Sequence, residues 1–215
     1  MASEIKQGTL ELVNHLPILQ VITPMLIAPI LVVLNNKTLS WLLSFLGALA
    51  CLFISILLMQ TVSDGSILTY YLGGWVPPIG IEYRIDAANS ILLFLISIIS
   101  AIVLIFSYSS LHAEIPEEKH TLFYSCFLLC LTGLLGVVAT ADIFNVFVFL
   151  EISSLSTYVL VAQGAYLDRR ALSASFNYLI MGTIGATFFV IGIGYIYMAT
   201  GSLNMMDIAE RVNQL

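Results

Sequence analysis

Charge is what this sequence has least of. Of its 215 residues only 7 are Lys or Arg and 13 are Asp or Glu, 9% in all, against about 25% in a soluble domain. With 60% hydrophobic residues and a mean hydropathy of +1.01, that scarcity excludes a water-soluble fold. What remains is an all-α, polytopic transmembrane helical bundle embedded in the lipid bilayer. The formal net charge of -6 leaves no basic patch, so no nucleic-acid partner is expected. Cysteine is scarce too. Cys51, Cys126 and Cys130 all fall in apolar stretches, and an odd count without ligand spacing argues against a disulfide framework or a metal site. Cys126 and Cys130 share a helix face, but they read as small packing residues. The sequence contains no nicotinamide, flavin, iron–sulfur or haem motif, so no cofactor is expected.

Long apolar runs are what the sequence has in abundance. The requirement of about 20 apolar residues per crossing predicts six helices, near residues 16–35, 39–62, 87–108, 121–140, 143–163 and 172–199. The stretch after Glu11 runs to Lys37 without a small-residue cleavage site, so it reads as a first span and not as a signal peptide. Pro24 and Pro29 within it predict a kink. The expected organisation is an N-terminal segment (1–15), helices one to three with a surface hairpin loop at 63–86 (16–110), helices four to six (111–200) and an interfacial tail (201–215). An even number of spans puts both termini on one side. Lys6, Arg84 and Arg211 lie on that side and Lys37, Lys119, Arg169 and Arg170 on the other, and this small bias places the termini outside.

One charge stands apart from the rest. Between Asp142 and Asp168, Glu151 is the only ionisable acid or base carrying a formal charge at neutral pH. It lies nine residues past Asp142, roughly 13 Å into a hydrocarbon core about 30 Å thick. A charge at that depth costs about 2.5–3.5 kcal/mol, so intramembrane carboxylates usually mark ion or proton pathways. The alternative is a protonated Glu bonded to a neighbouring helix. Ser154 and Tyr158 follow at three and seven residues, on the same helix face. They could line a proton path with Glu151, or they could simply bond to backbone carbonyls.

The remaining features have milder readings. Gly182 and Ala186 form a small-xxx-small pair that would admit a close helix neighbour, and Gly133 and Gly136 could do the same. The GGWVPP loop with Tyr70, Tyr71, Trp75 and Tyr83 reads as a turn bearing an aromatic belt. His112 and His120 in HAEIPEEKH read as solvated loop residues and not as ligands. The tail GSLNMMDIAERVNQL reads as a turn and a short amphipathic helix, with Met205, Met206 and Ile208 apolar and Asp207, Glu210 and Arg211 wet.

A midplane carboxyl group holds its proton unless a cation stands nearby, yet none of the predicted spans contains Lys, Arg or His. Either Glu151 is mostly neutral, or its cationic partner belongs to sequence outside this chain.

The stretches ADIFNVFVFLEISSLSTYVLVA, GGWVPPIGIEYRIDAANSILL and NYLIMGTIGATFFVIGIGYIYMATGSLNMMDIAERV resemble the proton-conducting antiporter-like subunits. They look most like the D-type subunits of Mrp-type monovalent cation/proton antiporters, relatives of the membrane-arm subunits of respiratory complex I. The resemblance implies that Glu151 pairs with a lysine on a later, broken helix, and that the GGW loop is the family's outer hairpin. Members of the family have about fourteen spans built on two inverted repeats. The resemblance therefore implies an amino-terminal part: three helices plus an incomplete first repeat, without the lysine helix. The expected partners are other membrane subunits, one bearing an intramembrane lysine, with protons and Na+ or K+ as transported ions in a bacterial inner membrane. A piece of the membrane arm of a quinone-reducing dehydrogenase and an inactive truncated remnant are the rival readings.

Overall fold

The computed structural model describes residues 14–214. The expected N-terminal segment therefore lies, except for its last two residues, outside the described part. Six helices long and apolar enough to cross a membrane run antiparallel in sequence order. They are α1 (Leu16–Leu34), α2 (Lys37–Thr61), α3 (Ala87–Glu114), α4 (His120–Ala139), α5 (Ile143–Gln163) and α6 (Arg170–Thr200). A hairpin of β1 (Leu68–Tyr71) and β2 (Glu82–Ile85) joins α2 to α3, and a short helix α7 (Met205–Val212) follows α6. The protein is a multi-pass integral membrane protein.

The bundle buries small and hydroxyl-bearing residues alongside leucines and turns large apolar side chains outward. The buried face of α2 is Ser40, Ser44, Gly47, Ala48, Cys51, Ser55 and Leu58, and α3 buries Ser90, Ser97, Ser100, Ala101 and Ser107 among its leucines. The exposed positions are large and apolar, such as Phe53, Ile102, Ile105 and Phe106. Lipid solvates those side chains as well as a protein core would, so helix association relies on close packing of small residues. Many buried hydroxyls bond back within their own helix, as Ser97 does to Leu93 O at 2.8 Å and Thr132 to Leu128 O at 2.8 Å, whereas Ser125 donates across to Ala28 O at 2.9 Å.

The first span stays one helix across both prolines. Pro24 has no N–H, which frees the carbonyl of Gln20 four residues earlier. The Cys51 thiol of α2 reaches that oxygen at 3.7 Å, so a neighbouring helix satisfies what the proline releases. The turn into α2 uses two consecutive asparagines. Asn35 adopts φ 43° to close α1 with its N–H on Leu31 O, and Asn36 caps α2 by accepting from Leu39 N at 3.2 Å.

Helix α4 is central, packing on α1, α2, α3 and α5, whereas α6 packs chiefly on α5. Glycine sets the α4–α5 distance: a Cβ on Gly133 would stand 2.6 Å from Phe149 O and from Ser153 Cβ. At the face holding the hairpin, three segments are stitched together. The turn between α4 and α5 donates Ala141 N to Glu82 O (2.8 Å), and the segment before α7 bonds both ways, Ile143 N to Leu203 O and Met205 N to Ala141 O (each 2.9 Å). The hairpin is thus a fixed part of the fold.

The structure corrects the reading of the 112–120 loop. Helix α3 continues to Glu114, six residues beyond the predicted end, so His112 lies in its last turn. His120 opens α4 and is buried, its Nε2 3.0 Å from Ile115 O and its ring 4.9 Å from that of His112. Hydropathy falls from Tyr108 onward, whereas the helix runs on to the first charge, Glu114. Lys37 pairs with Glu117 across this face. In the tail, α7 forms as expected, but Arg211 is tied down as well as wet. It donates to Asp207 and to Thr200 O, each at 2.9 Å.

Candidate proton site between α5 and α6

Helix α5 starts at Asp142, whose carboxylate caps it by accepting from Asn145 N at 2.7 Å. Two turns on, Glu151 is half-buried and faces α6 across a cavity of about 300 Å³ lined by Glu151, Ser154, Phe147, Gly182, Ala186 and Phe189, among others. Glu151 and Ser154 therefore share one cavity, as their spacing predicts. Tyr158 lies one turn further along and is buried, with its hydroxyl seated on Gly182. Gly182 thus admits a close neighbour, Tyr158 of α5 in the same chain, whereas Ala186 stands at the cavity wall.

Among its neighbours Ser154 is unusual. Ser153, Ser156 and Thr157 each bond back to a carbonyl of their own helix at 2.7–2.9 Å. Ser154 makes no such bond among the described residues, which leaves its hydroxyl free at the cavity wall. The site is also lopsided along the membrane normal. Towards the α5–α6 turn come Ser154, Tyr158 and Tyr178, the two tyrosine rings 5.0 Å apart and edge-on, with Ser175 Oγ donating to Tyr158 O at 2.8 Å. Towards the hairpin face the cavity meets Phe147 and Phe189, with the Phe144 ring 5.9 Å from that of Phe147.

Sequence reading did not single out Tyr178, Ser175 or the phenylalanines. The signal for them is antiparallel register: once Gly182 meets Tyr158, Ala186 faces Ser154 and Phe189 faces Phe147. Among the described residues Glu151 forms no ion pair, and no group of three His, Cys, Asp or Glu side chains could hold a metal.

Residues 140–215, which include all of α5 and α6, match the family described as NADH:quinone oxidoreductase/Mrp antiporter, TM. That segment is about a third of the chain, and antiporter-like membrane subunits are similar to nearly all of it. These relatives include the N subunit of the NADH-quinone oxidoreductase of Desulforudis audaxviator, 41% identical over 198 residues, covering 91% of this chain and 39% of the relative. The D subunit of the Na(+)/H(+) antiporter of Alkalihalophilus pseudofirmus is 30% identical over 203 residues, covering 94% of this chain and 40% of the relative. A chain in the structure of the membrane-bound sulfane sulfur reductase, an archaeal respiratory membrane complex, superposes with a TM-score of 0.82 at 32% identity, covering 94% of this chain and 40% of that one. The chain spans about 40% of the length of the curated relatives it matches.

Proposed function

We propose that this chain contributes the protonatable carboxylate of a proton path within a multi-subunit monovalent cation (Na+ or K+)/proton antiporter of the bacterial inner membrane. The observation that carries the reading is Glu151 at the α5–α6 cavity, with no ion pair among the described residues and polar groups on one side only. A proton enters by way of Ser154 and Tyr158 from the face bearing the α5–α6 turn and neutralises the carboxylate. Release onward requires a cation that stabilises the ionised form. An intramembrane lysine on another membrane segment or subunit supplies it, and its approach and withdrawal would alternate the two protonation states. Transport is therefore expected of the assembly: reconstituted alone, the chain is expected to move no ions.

A second reading, membrane-arm piece of a quinone-linked respiratory complex, is favoured by the 41% identity to an NADH-quinone oxidoreductase N subunit. It uses Glu151 in the same way, with redox energy supplied by other subunits.

The test is Glu151→Gln in an assembly supplying the lysine-bearing partner. Gln keeps the size and a hydrogen-bonding tip but cannot release a proton. Proton-coupled transport in membrane vesicles should disappear while assembly stays near normal. Wild-type rates would reduce Glu151 to a packing residue. Dependence of proton movement on added Na+ or K+, as opposed to quinone, separates the two readings.

A further inference from the structure

Where α5 ends and α6 begins, the chain makes a second cleft, away from Glu151. Its volume is about 280 Å³, and its walls are Val159, Ala162, Gln163, Ala165, Tyr166 and Leu172. Four of these are aliphatic, which suits a hydrocarbon chain. Gln163 is the exception: it is 7% exposed, and neither its amide nitrogen nor its oxygen has a partner among the described residues. A buried carboxamide left in that state is costly, so the wall holds an unused donor and an unused acceptor.

Above the cleft the turn reads Leu167, Asp168, Arg169 and Arg170, all exposed. Asp168 accepts from the backbone N–H of Arg170 at 2.9 Å, and neither guanidinium forms an ion pair among the described residues. Arg169 has helical backbone angles at the start of α6 and stands three residues before Leu172. It therefore projects about one turn above that wall, on the same face. With one acid against two arginines, the turn is net positive. Lys37 and Lys119 belong to the same face of the bundle, so the cleft opens on the more basic side of the membrane, where anionic lipid collects.

We propose that this cleft binds one anionic phospholipid. The phosphate lies against Arg169 and Arg170, and the guanidinium fork matches phosphate oxygens. The glycerol–ester region meets Tyr166 and the free carboxamide of Gln163, and an acyl chain lies along Val159, Ala162 and Leu172. The lipid would pack the α5–α6 turn at the polar end of the Glu151 site, although the inference does not depend on what Glu151 does.

The experiment is photocrosslinking in the native assembly, using phosphatidylglycerol and phosphatidylcholine that carry the same photoactivatable acyl chain, with adducts mapped by peptide. Phosphatidylglycerol should label residues 159–172 preferentially. Arg169→Gln/Arg170→Gln should lower that labelling by about 30-fold, given the attraction expected of two basic residues at a charged surface, while lowering phosphatidylcholine labelling much less. Leu172→Trp, which fills the cleft with both arginines intact, should reduce labelling by both lipids. Excess unlabelled phosphatidylglycerol should compete and inorganic phosphate should not. Equal labelling by the two lipids would mark ordinary boundary lipid and overturn the proposal. Competition by inorganic phosphate would overturn it in favour of a simple anion site.

Discussion

The side-chain amide of Asn204 donates to Glu82 Oε2 at 2.7 Å, joining the hairpin to the start of α7 across 122 positions of sequence. Both residues are buried, at 3% and 6% exposure. The other end of the same amide caps α7, with Oδ1 accepting from Met206 N at 3.0 Å and Asp207 N at 3.2 Å. One side chain therefore fixes the helix and anchors it to the hairpin.

Asn204→Ala should be among the more damaging single changes on this face. It removes a hydrogen bond to a buried carboxylate, worth about 1.5–3 kcal/mol, and a cap worth about 1 kcal/mol. Glu82→Gln keeps an acceptor for Asn204 and should cost clearly less. Thermal unfolding in detergent measures both. Equal losses from the two substitutions would mean that the bond contributes little.

The glycines of α4 and α6 should differ in how they tolerate a methyl group. At Gly133 the new Cβ meets the α5 backbone, which cannot move without separating the helices. At Gly182 it meets the Tyr158 hydroxyl, the far end of a side chain. Gly133→Ala should cost about 1–3 kcal/mol, and no side-chain change should rescue it. Gly182→Ala should be eased by Tyr158→Phe, giving a non-additive pair of at least about 0.5 kcal/mol. Strict additivity at Gly182 would contradict the contact.

Six crossings place the hairpin and the α3–α4 turn on opposite faces. Cysteines introduced at Ser66 and Ser110 should be labelled from opposite sides of the membrane by an impermeant maleimide. The background should carry Cys51→Ser, which retains a donor for the Gln20 carbonyl, together with Cys126→Ala and Cys130→Ser. Labelling of both from one side would overturn the topology.

The spans were legible in the sequence because a single quantity, the length of an uncharged run, decides them. Glu151 was legible for the same reason, since one charge in such a run is conspicuous. The end of α3 was not, because hydropathy changes at Tyr108 whereas hydrogen bonding continues to Glu114. His120 looked solvated because its neighbours are charged, yet the α3–α4 turn folds over it. The hairpin junction was beyond reach too. Glu82, Thr140, Asp142 and Asn204 are ordinary polar residues in three separate connecting segments, and only the assembled helix ends bring them together. The lopsided Glu151 site required the register of α5 against α6, which a tyrosine seated on Gly182 fixes and which no one-dimensional pattern reports.

Asp142 supplies a prediction about pH. It is 8% exposed, and burial pushes its carboxyl above the ordinary value, with the N–H groups of Asn145 and Phe144 pulling it back only in part. In the unfolded chain an aspartate releases its proton near pH ~3.9. Above that pH the unfolded state gives up a proton that the folded state still holds, so the folded state binds more protons and stability falls as pH rises. The fall stops once pH passes the raised folded value, and below the unfolded value this group costs nothing. Asp142→Asn keeps the oxygen that accepts from Asn145 N and caps α5 about as well, but it never ionises. The melting temperature of the variant relative to wild type should therefore climb as pH rises above about 4 and level off once pH passes the raised folded value. A difference that is flat across that range, or that shrinks as pH rises, would mean that the α5 cap holds its charge without penalty.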